Sequence, residues 1–155
     1  MQNFFKKNLL LCGIAFFAAC NNSNEKNNSA KMEVPKTPVI VLNPVNYSGD
    51  SVTMNGFVAY DTASSEKRPV VLVVHEWWGL NDYAKSRTRQ LAELGYFAMA
   101  VDMYGNGAQG NDPDAAGKLA MPFYKDPQMA KRRFDAALEK VKSFPQADAG
   151  RIAAI

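Results

Sequence analysis

The feature that most constrains the fold is an unbroken run of aliphatic side chains, VVLVV, at residues 70–74. A strand covered on both faces has such a continuous apolar sequence, whereas a strand with one wet face alternates between apolar and polar residues. Residues 96–101 and 151–155 have a similar character. We therefore expect three buried strands of a parallel sheet.

Helical signals separate these predicted strands. The first helix is predicted to begin at Asn81 or Asp82, because both residue types cap helix starts, and to end before Gly95, which suits a helix end. Its inner stripe is expected to contain Tyr83, Ala84, Leu91 and Ala92.

Two Asp-Pro pairs, at 112–113 and 126–127, predict two further helix starts, since the aspartate caps the helix and proline fits its first turn. Arg132 and Arg133 are expected on the solvated face of the second of these helices, with an anionic substrate as the alternative partner for one of them. The predicted inner face of that helix contains Ala130, Phe134, Ala137, Leu138 and Val141.

Two segments, residues 39–42 and 52–60, precede the aliphatic run, and the second partly alternates between apolar and polar side chains. We expect them to be antiparallel strands at the start of the sheet. The alternating strands and helices that follow predict parallel strands with crossover helices. The predicted fold class is therefore α/β.

The carboxyl ends of parallel strands share one edge of a sheet, and ligands of such sheets bind outside that edge. Residues 75–77 and 102–104 directly follow two of the predicted strands, and Ile155 ends the third. We therefore expect these three points to face one crevice, where a small-molecule substrate would bind.

Charge excludes one class of function. The 155 residues carry a formal net charge of +3, and Lys6 and Lys7 supply two of the 18 basic side chains, so the remainder is nearly neutral. A nearly neutral domain lacks the broad basic surface of nucleic-acid-binding proteins. We expect no nucleic-acid partner.

The cysteines and the single histidine restrict the possible chemistry. Cys12 and Cys20 are the only cysteines, so the body of the chain offers no disulfide framework, no thiolate zinc site and no cysteine nucleophile. His75 and Glu76 begin like a zinc-protease motif, but Gly79 stands where the second histidine would be. We expect neither a metal ion nor a cofactor.

Residues 1–19 predict a secretory signal peptide, with two lysines, a short apolar core and small residues at its end. Residues 17–20, of sequence FAAC, resemble the lipobox of bacterial lipoproteins. That resemblance implies that Cys20 is lipidated and holds the protein to a membrane of the bacterial cell envelope, outside the cytoplasm. The alternative is an ordinary signal peptide with a chance cysteine. Residues 20–37 are predicted to be a flexible tether because they are rich in Asn and Ser.

Residues 70–155 resemble the dienelactone hydrolase family, a branch of the α/β-hydrolases. The motifs are HEWWGLN at 75–81, LA and GY at 91–92 and 95–96, and DMYG at 102–105. The resemblance implies a hydrolase of carboxylic esters or lactones with a cysteine nucleophile in a Gly-x-Cys-x-Gly-Gly turn. That turn would follow Ile155. Residues 38–155 are therefore expected to form the N-terminal part of such a domain, truncated before the nucleophile and inactive alone.

The same resemblance implies roles for particular residues. Glu76 would approach the nucleophile and tune its protonation, and the backbone N–H of Trp77 would be one of two donors to the oxyanion. An arginine partner for Glu76 is the alternative. The residues expected to shape the substrate pocket are His75, Trp78, Asp102 and Tyr104.

These pocket residues have structural alternatives. His75 is expected to be a positional, hydrogen-bonded histidine rather than a general base. Trp77 and Trp78 could cover the sheet edge instead of shaping an apolar pocket, and Asp102 and Tyr104 could cap the following loop.

Two other functions are alternatives to the hydrolase. Residues 105–110 spell G-x-G-x-x-G, which binds dinucleotides where a helix starts within it, but here the helix signal comes only at Asp112. A catalytically dead envelope lipoprotein is the remaining alternative to the hydrolase.

Overall fold

The computed structural model describes residues 37–155, so the predictions for the signal peptide, for Cys20 and for nearly all of the tether lie outside the described residues. The described part contains five strands and three helices. In chain order they are β1 (Ile40–Gly49), β2 (Val52–Asp61), β3 (Arg68–Val74), α1 (Asp82–Glu93), β4 (Phe97–Val101), α2 (Pro113–Lys125), α3 (Pro127–Lys142) and β5 (Ala147–Ala154).

The strands form one mixed sheet of order β1-β2-β4-β3-β5. β1 pairs antiparallel with β2, β2 pairs antiparallel with β4, and β3 lies parallel to both β4 and β5. The predicted α/β class, with antiparallel strands before parallel ones, is confirmed.

β1 is longer than predicted. It continues from the expected residues 39–42 to Gly49, with Val45 and Tyr47 buried between exposed neighbours. Pro44 is tolerated because β1 lies at the edge of the sheet in the described part of the chain, where a missing backbone donor costs little. Asp50 and Ser51 both have positive φ, 57° and 60°, which suits the tight turn into β2.

β5 was predicted to be buried, and that prediction is wrong. Most of its residues are exposed, because within residues 37–155 it pairs with β3 on one side only. Its register is also interrupted: Pro69 lies opposite Asp148, but Val70 lies opposite Ile152, so three residues of β5 bulge out of the ladder.

The core lies on the two faces of the sheet. Alternate side chains of β4 point to opposite faces, with Met99 in the cluster packed by α3 and Ala100 in the cluster packed by α1. The predicted inner face of α3 is confirmed, since Ala137 and Val141 are fully buried. The remaining members of that face, Ala130, Phe134 and Leu138, are partly buried against the same cluster.

The inner stripe of α1 differs from the prediction at two positions. Tyr83 is 57% exposed, whereas Thr88 is fully buried between Ala84 and Ala92. The hydroxyl of Thr88 donates to the carbonyl oxygen of Ala84 at 2.8 Å, which satisfies its polar group inside the core.

Candidate active site

Three strand ends meet at one edge of the sheet. The N–H of Val74 at the end of β3 donates to the carbonyl oxygen of Ile155 at 2.9 Å. The N–H of Met103, just after β4, donates to Nε2 of His75 at 3.1 Å. The expected convergence of residues 75–77, residues 102–104 and Ile155 is therefore observed.

A cleft with two cavities lies at this edge. The smaller cavity, about 190 Å³, lies beside Ile155, and the larger one, about 370 Å³, lies beside Trp77 and Tyr104. The two cavities share three wall residues: Val74, His75 and Glu76. Glu76 therefore faces both halves of the cleft.

His75 is held by both ring nitrogens. Because Nε2 accepts from the N–H of Met103, the proton of the neutral ring lies on Nδ1, which donates to the carbonyl oxygen of Glu76 at 2.7 Å. The ring also packs edge-on against Tyr104, with 4.6 Å between centroids. This geometry is that of a positional histidine, with neither nitrogen left for substrate.

Burial lowers the pKa of His75 below its usual 6.5, although the acceptor at Glu76 and the charge of Asp102 oppose the shift. The folded state therefore binds fewer protons than the unfolded state just below pH 6.5, so stability should be complete above pH 6.5 and fall as the pH drops below it.

We expect the imidazole signals of the single histidine to titrate below pH 6.5 in proton NMR spectra of the folded protein. His75→Gln should remove the corresponding fall in the urea midpoint between pH 7 and pH 5. A titration midpoint above 6.5 would contradict the assignment of a buried neutral ring.

Glu76 is exposed, and the structure gives its carboxylate no arginine or lysine partner among residues 37–155. The alternative of an arginine pair is therefore not observed. Next to it, the carbonyl oxygen of Trp77 accepts a hydrogen bond of 2.8 Å from the hydroxyl of Tyr104. Burial raises the pKa of Tyr104, so this hydroxyl stays protonated as a donor. Among residues 37–155, the backbone N–H of Trp77 donates to no other backbone group outside the helices and strands.

The two tryptophans lie side by side at the cleft, with centroids 5.1 Å apart and ring planes inclined by 56°. Trp77 is 41% exposed and lines the larger cavity. Trp78 was expected in the pocket, but it lines neither half of the cleft, because the chain turns here and the N–H of Gly79 returns to the carbonyl oxygen of Glu76.

Asp102 was also expected in the pocket, and the structure places it beneath the cleft instead. It is fully buried, and its carboxylate accepts from the N–H groups of Asn55, Gly105 and Gly107 at 2.8–2.9 Å. Its own N–H donates to the hydroxyl oxygen of Tyr47. Capping of the loop, the alternative considered from the sequence, is therefore its observed role.

These contacts also argue against the dinucleotide interpretation of residues 105–110. The N–H groups of Gly105 and Gly107 are occupied by Asp102, and the N–H of Asn106 donates to Thr53. A phosphate cradle needs such groups free. In addition, α2 begins only at Pro113, after the third glycine.

Arg133 was predicted to be solvated, and that prediction is wrong. It is buried, and its guanidinium donates to the carbonyl oxygens of Met103 and Tyr104 at 2.8 and 2.7 Å. The sequence contained a signal for this, because position 133 lies four residues before the buried Ala137 on the same helix face. Arg132 is exposed as predicted, and it pairs with Asp50 and Asp126.

Sequence reasoning missed the contribution of α2 to the cleft. This helix supplies three wall residues of the larger cavity: Ala120, Phe123 and Tyr124. Phe123 packs against Tyr104 with 5.6 Å between ring centroids.

Residues 37–155 contain no group of three or more His, Cys, Asp or Glu side chains arranged to hold a metal ion. Within the same range, no helix has both the length and the hydropathy needed to cross a bilayer.

Residues 54–155 match the model of the family described as "Dienelactone hydrolase family". The chain belongs to this family. The matched region contains the whole cleft edge, from β2 to Ile155. It also extends the resemblance seen in the sequence back from residue 70 to residue 54.

Individual relatives agree with the family match. Two proteins named "Putative carboxymethylenebutenolidase" are similar to this chain. The one from Aquifex aeolicus is 36% identical over 102 residues, covering 63% of this chain and 42% of its own length. The one from Saccharolobus solfataricus is 38% identical over 58 residues, covering 37% of this chain and 21% of its own.

A solved structure, that of a dienelactone hydrolase-like promiscuous phosphotriesterase from metagenomic libraries, is also similar. It shares 35% identity with a TM-score of 0.70, and the match covers 74% of this chain and 48% of that protein. The chain thus spans less than half the length of each of these three proteins.

Proposed function

We propose that this chain forms the N-terminal half of a hydrolase that cleaves a carboxylic ester or lactone through a covalent acyl-enzyme. The observation that carries the proposal is the meeting of Glu76, Trp77 and Ile155 at one cleft. Acyl transfer needs a nucleophile, a group that controls its protonation and donors to the developing oxyanion. The cleft offers candidates for the second and third of these.

In the proposed mechanism a cysteine thiolate attacks the carbonyl carbon of the substrate, and the carbonyl oxygen becomes an oxyanion. The N–H of Trp77 donates to that oxygen. Collapse of the tetrahedral intermediate breaks the bond between the carbonyl carbon and the leaving oxygen, which takes a proton from the histidine that, by family resemblance, also follows Ile155. An ester then releases its alcohol, whereas a lactone keeps it attached to the acyl group. Water hydrolyses the thioester, which gives the acid and returns the thiol. By family resemblance, the cysteine lies in a turn after Ile155. Within the described residues the cleft has no cysteine, since both cysteines precede residue 37.

The role proposed for Glu76 is to control the protonation of the thiol in the resting enzyme. Its carboxylate lies on the wall between the two cavities, without a basic partner among residues 37–155. A carboxylate close to a thiol favours the protonated form, since two negative charges at short range repel each other.

Glu76→Gln should therefore lower the apparent pKa of the cysteine thiol and move the acidic limb of the pH profile of kcat/KM for ester hydrolysis to lower pH by about one unit, which corresponds to about a tenfold rise in the thiolate fraction below that pKa. The assay is hydrolysis of p-nitrophenyl acetate by the protein expressed through the reading frame beyond codon 155. Glu93→Gln, at the exposed end of α1, is the matched control and should be unaffected.

Two outcomes would contradict the proposal. Ester turnover by the 155-residue chain alone would show that no later nucleophile is needed. A stop codon directly after codon 155, with no frame encoding Gly-x-Cys-x-Gly-Gly beyond it, would favour the catalytically dead envelope module.

We also propose that Cys20 carries a lipid that anchors the protein in the bacterial cell envelope. The support is the FAAC sequence at residues 17–20 after an apolar run. Cys20→Ala should move the protein from the membrane fraction to the soluble fraction of the envelope. Cys12→Ala is the matched control and should leave the protein with the membranes. A Cys20→Ala protein that still sediments with membranes would refute the anchor.

A further inference from the structure

The larger half of the cleft has a consistent chemistry. Besides His75 and Glu76 its wall is formed by apolar and aromatic side chains. The aromatic rings of Trp, Tyr and Phe come from three separate segments: Trp77, Tyr104 and the pair Phe123 and Tyr124 on α2. Pockets of this composition take up flat apolar groups, since ring faces and edges pack well against one another.

The charge at this cavity is one-sided. Glu76 is the single acidic residue of its wall, and within residues 37–155 no lysine or arginine lines it. The guanidinium of Arg133 lies over the ring of Phe123 at 5.2 Å, but it is buried and directed to the carbonyl oxygens of Met103 and Tyr104. An anionic group in the cavity would therefore meet a carboxylate without a compensating cation on the wall.

The size of the group that fits this cavity is limited by α2. Ala120 is 7% exposed and belongs to the wall, so its methyl group stands where a larger side chain would reduce the space. Tyr124 lies at the outer rim and is 78% exposed, so it can be replaced without disturbing the core. Substitution of either residue, one buried and one exposed, would therefore alter the same cavity.

We propose that this cavity is the subsite for a neutral aromatic group of the substrate, with Phe123 and Tyr124 as contact residues and Ala120 as the residue that limits its size. This inference rests on the proposed function, because it names the class of ester that the proposed hydrolase would accept. Its test uses binding, so that it does not depend on turnover.

The probes are two amides of similar size that an esterase does not consume readily: 4-methylbenzamide, which is neutral, and 4-carboxybenzamide, which is anionic. The readout is quenching of intrinsic fluorescence in the 155-residue chain, whose two tryptophans are Trp77 on the wall of this cavity and the adjacent Trp78. We expect saturable binding of the neutral probe and at least about tenfold weaker binding of the anionic one, a difference of about 1.4 kcal/mol.

Variants identify the cavity. Ala120→Leu and Tyr124→Ser should each weaken binding of the neutral probe at least fivefold, and Glu76→Gln should strengthen binding of the anionic probe alone. Tyr96→Ser is the matched control, because Tyr96 is partly exposed and belongs to neither half of the cleft. Should Ala120→Leu fail to fold, as judged by circular dichroism, the Tyr124→Ser result decides.

Equal affinity for the two probes, or unchanged binding in Tyr124→Ser, would overturn the proposal. Either result would leave the hydrolase assignment intact. If the protein bound the neutral probe selectively but showed no ester turnover, the proposed hydrolase activity would be overturned, whereas the aromatic binding site would be retained.

Discussion

Asp102→Ala is expected to lower the free energy of unfolding by about 4 kcal/mol, because it removes a buried acceptor from three backbone donors at once. The carboxylate holds Asn55 on β2 and two N–H groups of the loop after β4, at 2.8–2.9 Å. With alanine in place, those donors would be left in a region where the native side chain is fully buried. Urea denaturation followed by circular dichroism measures the change.

A surface aspartate with similar bonds provides the control for Asp102. Asp148 accepts from the N–H of Gly150 at 2.9 Å and from the side chain of Arg151 at 2.6 Å, two bonds of similar length to the three that Asp102 accepts. Its side chain is 27% exposed, whereas that of Asp102 is fully buried, so water can replace those bonds. Asp148→Ala should leave the urea midpoint nearly unchanged. Equal shifts for the two variants would show that burial does not decide the value of these bonds.

Arg133→Met is expected to lower the free energy of unfolding by about 3 kcal/mol, because two carbonyl oxygens lose a charged donor in a buried position. These are the carbonyls of Met103 and Tyr104, which form the floor of the cleft. Methionine keeps much of the length of the side chain, so the change tests the bonds more than the packing.

The neighbouring residue supplies the matched control for Arg133. Arg132 forms two ion pairs, at 2.6 Å to Asp50 and 3.1 Å to Asp126, but its side chain is about half exposed. Exposed ion pairs contribute little to stability because water and salt compete for both charges. Arg132→Met should therefore leave the urea midpoint nearly unchanged. A larger loss in Arg132→Met than in Arg133→Met would contradict the structural argument.

The contrast between these two arginines shows what a sequence pattern can and cannot predict. Periodic apolar residues predicted the sheet, the three helices and the inner face of α3, because burial of apolar surface dominates those choices. The same pattern predicted that Arg133 is solvated, because the side chain is charged. The pattern contains no information on the two buried carbonyl oxygens, of Met103 and Tyr104, to which Arg133 donates. Only the three-dimensional path of the loop after β4 shows that those carbonyls face α3.

The candidate site shows a similar division. The order of strands predicted that residues after β3 and β4 would meet Ile155, because parallel strands share an edge. It could not separate residues that line the cleft from those that support it. Asp102, Tyr104, Trp77 and Trp78 all lie within four residues of the end of their strand, yet Asp102 and Trp78 form no part of the two cavity walls. Side-chain direction, set by the turns after each strand, makes that difference.

The direction of β1 has a consequence for access to the site. Since β1 and β4 both lie antiparallel to β2, they run in the same direction, and Ile40 starts at the rim of the sheet opposite the cleft. The polypeptide therefore enters the sheet at the edge farthest from the cleft. Entry of the chain at Ile40 and the opening of the cleft therefore lie at opposite rims of the sheet.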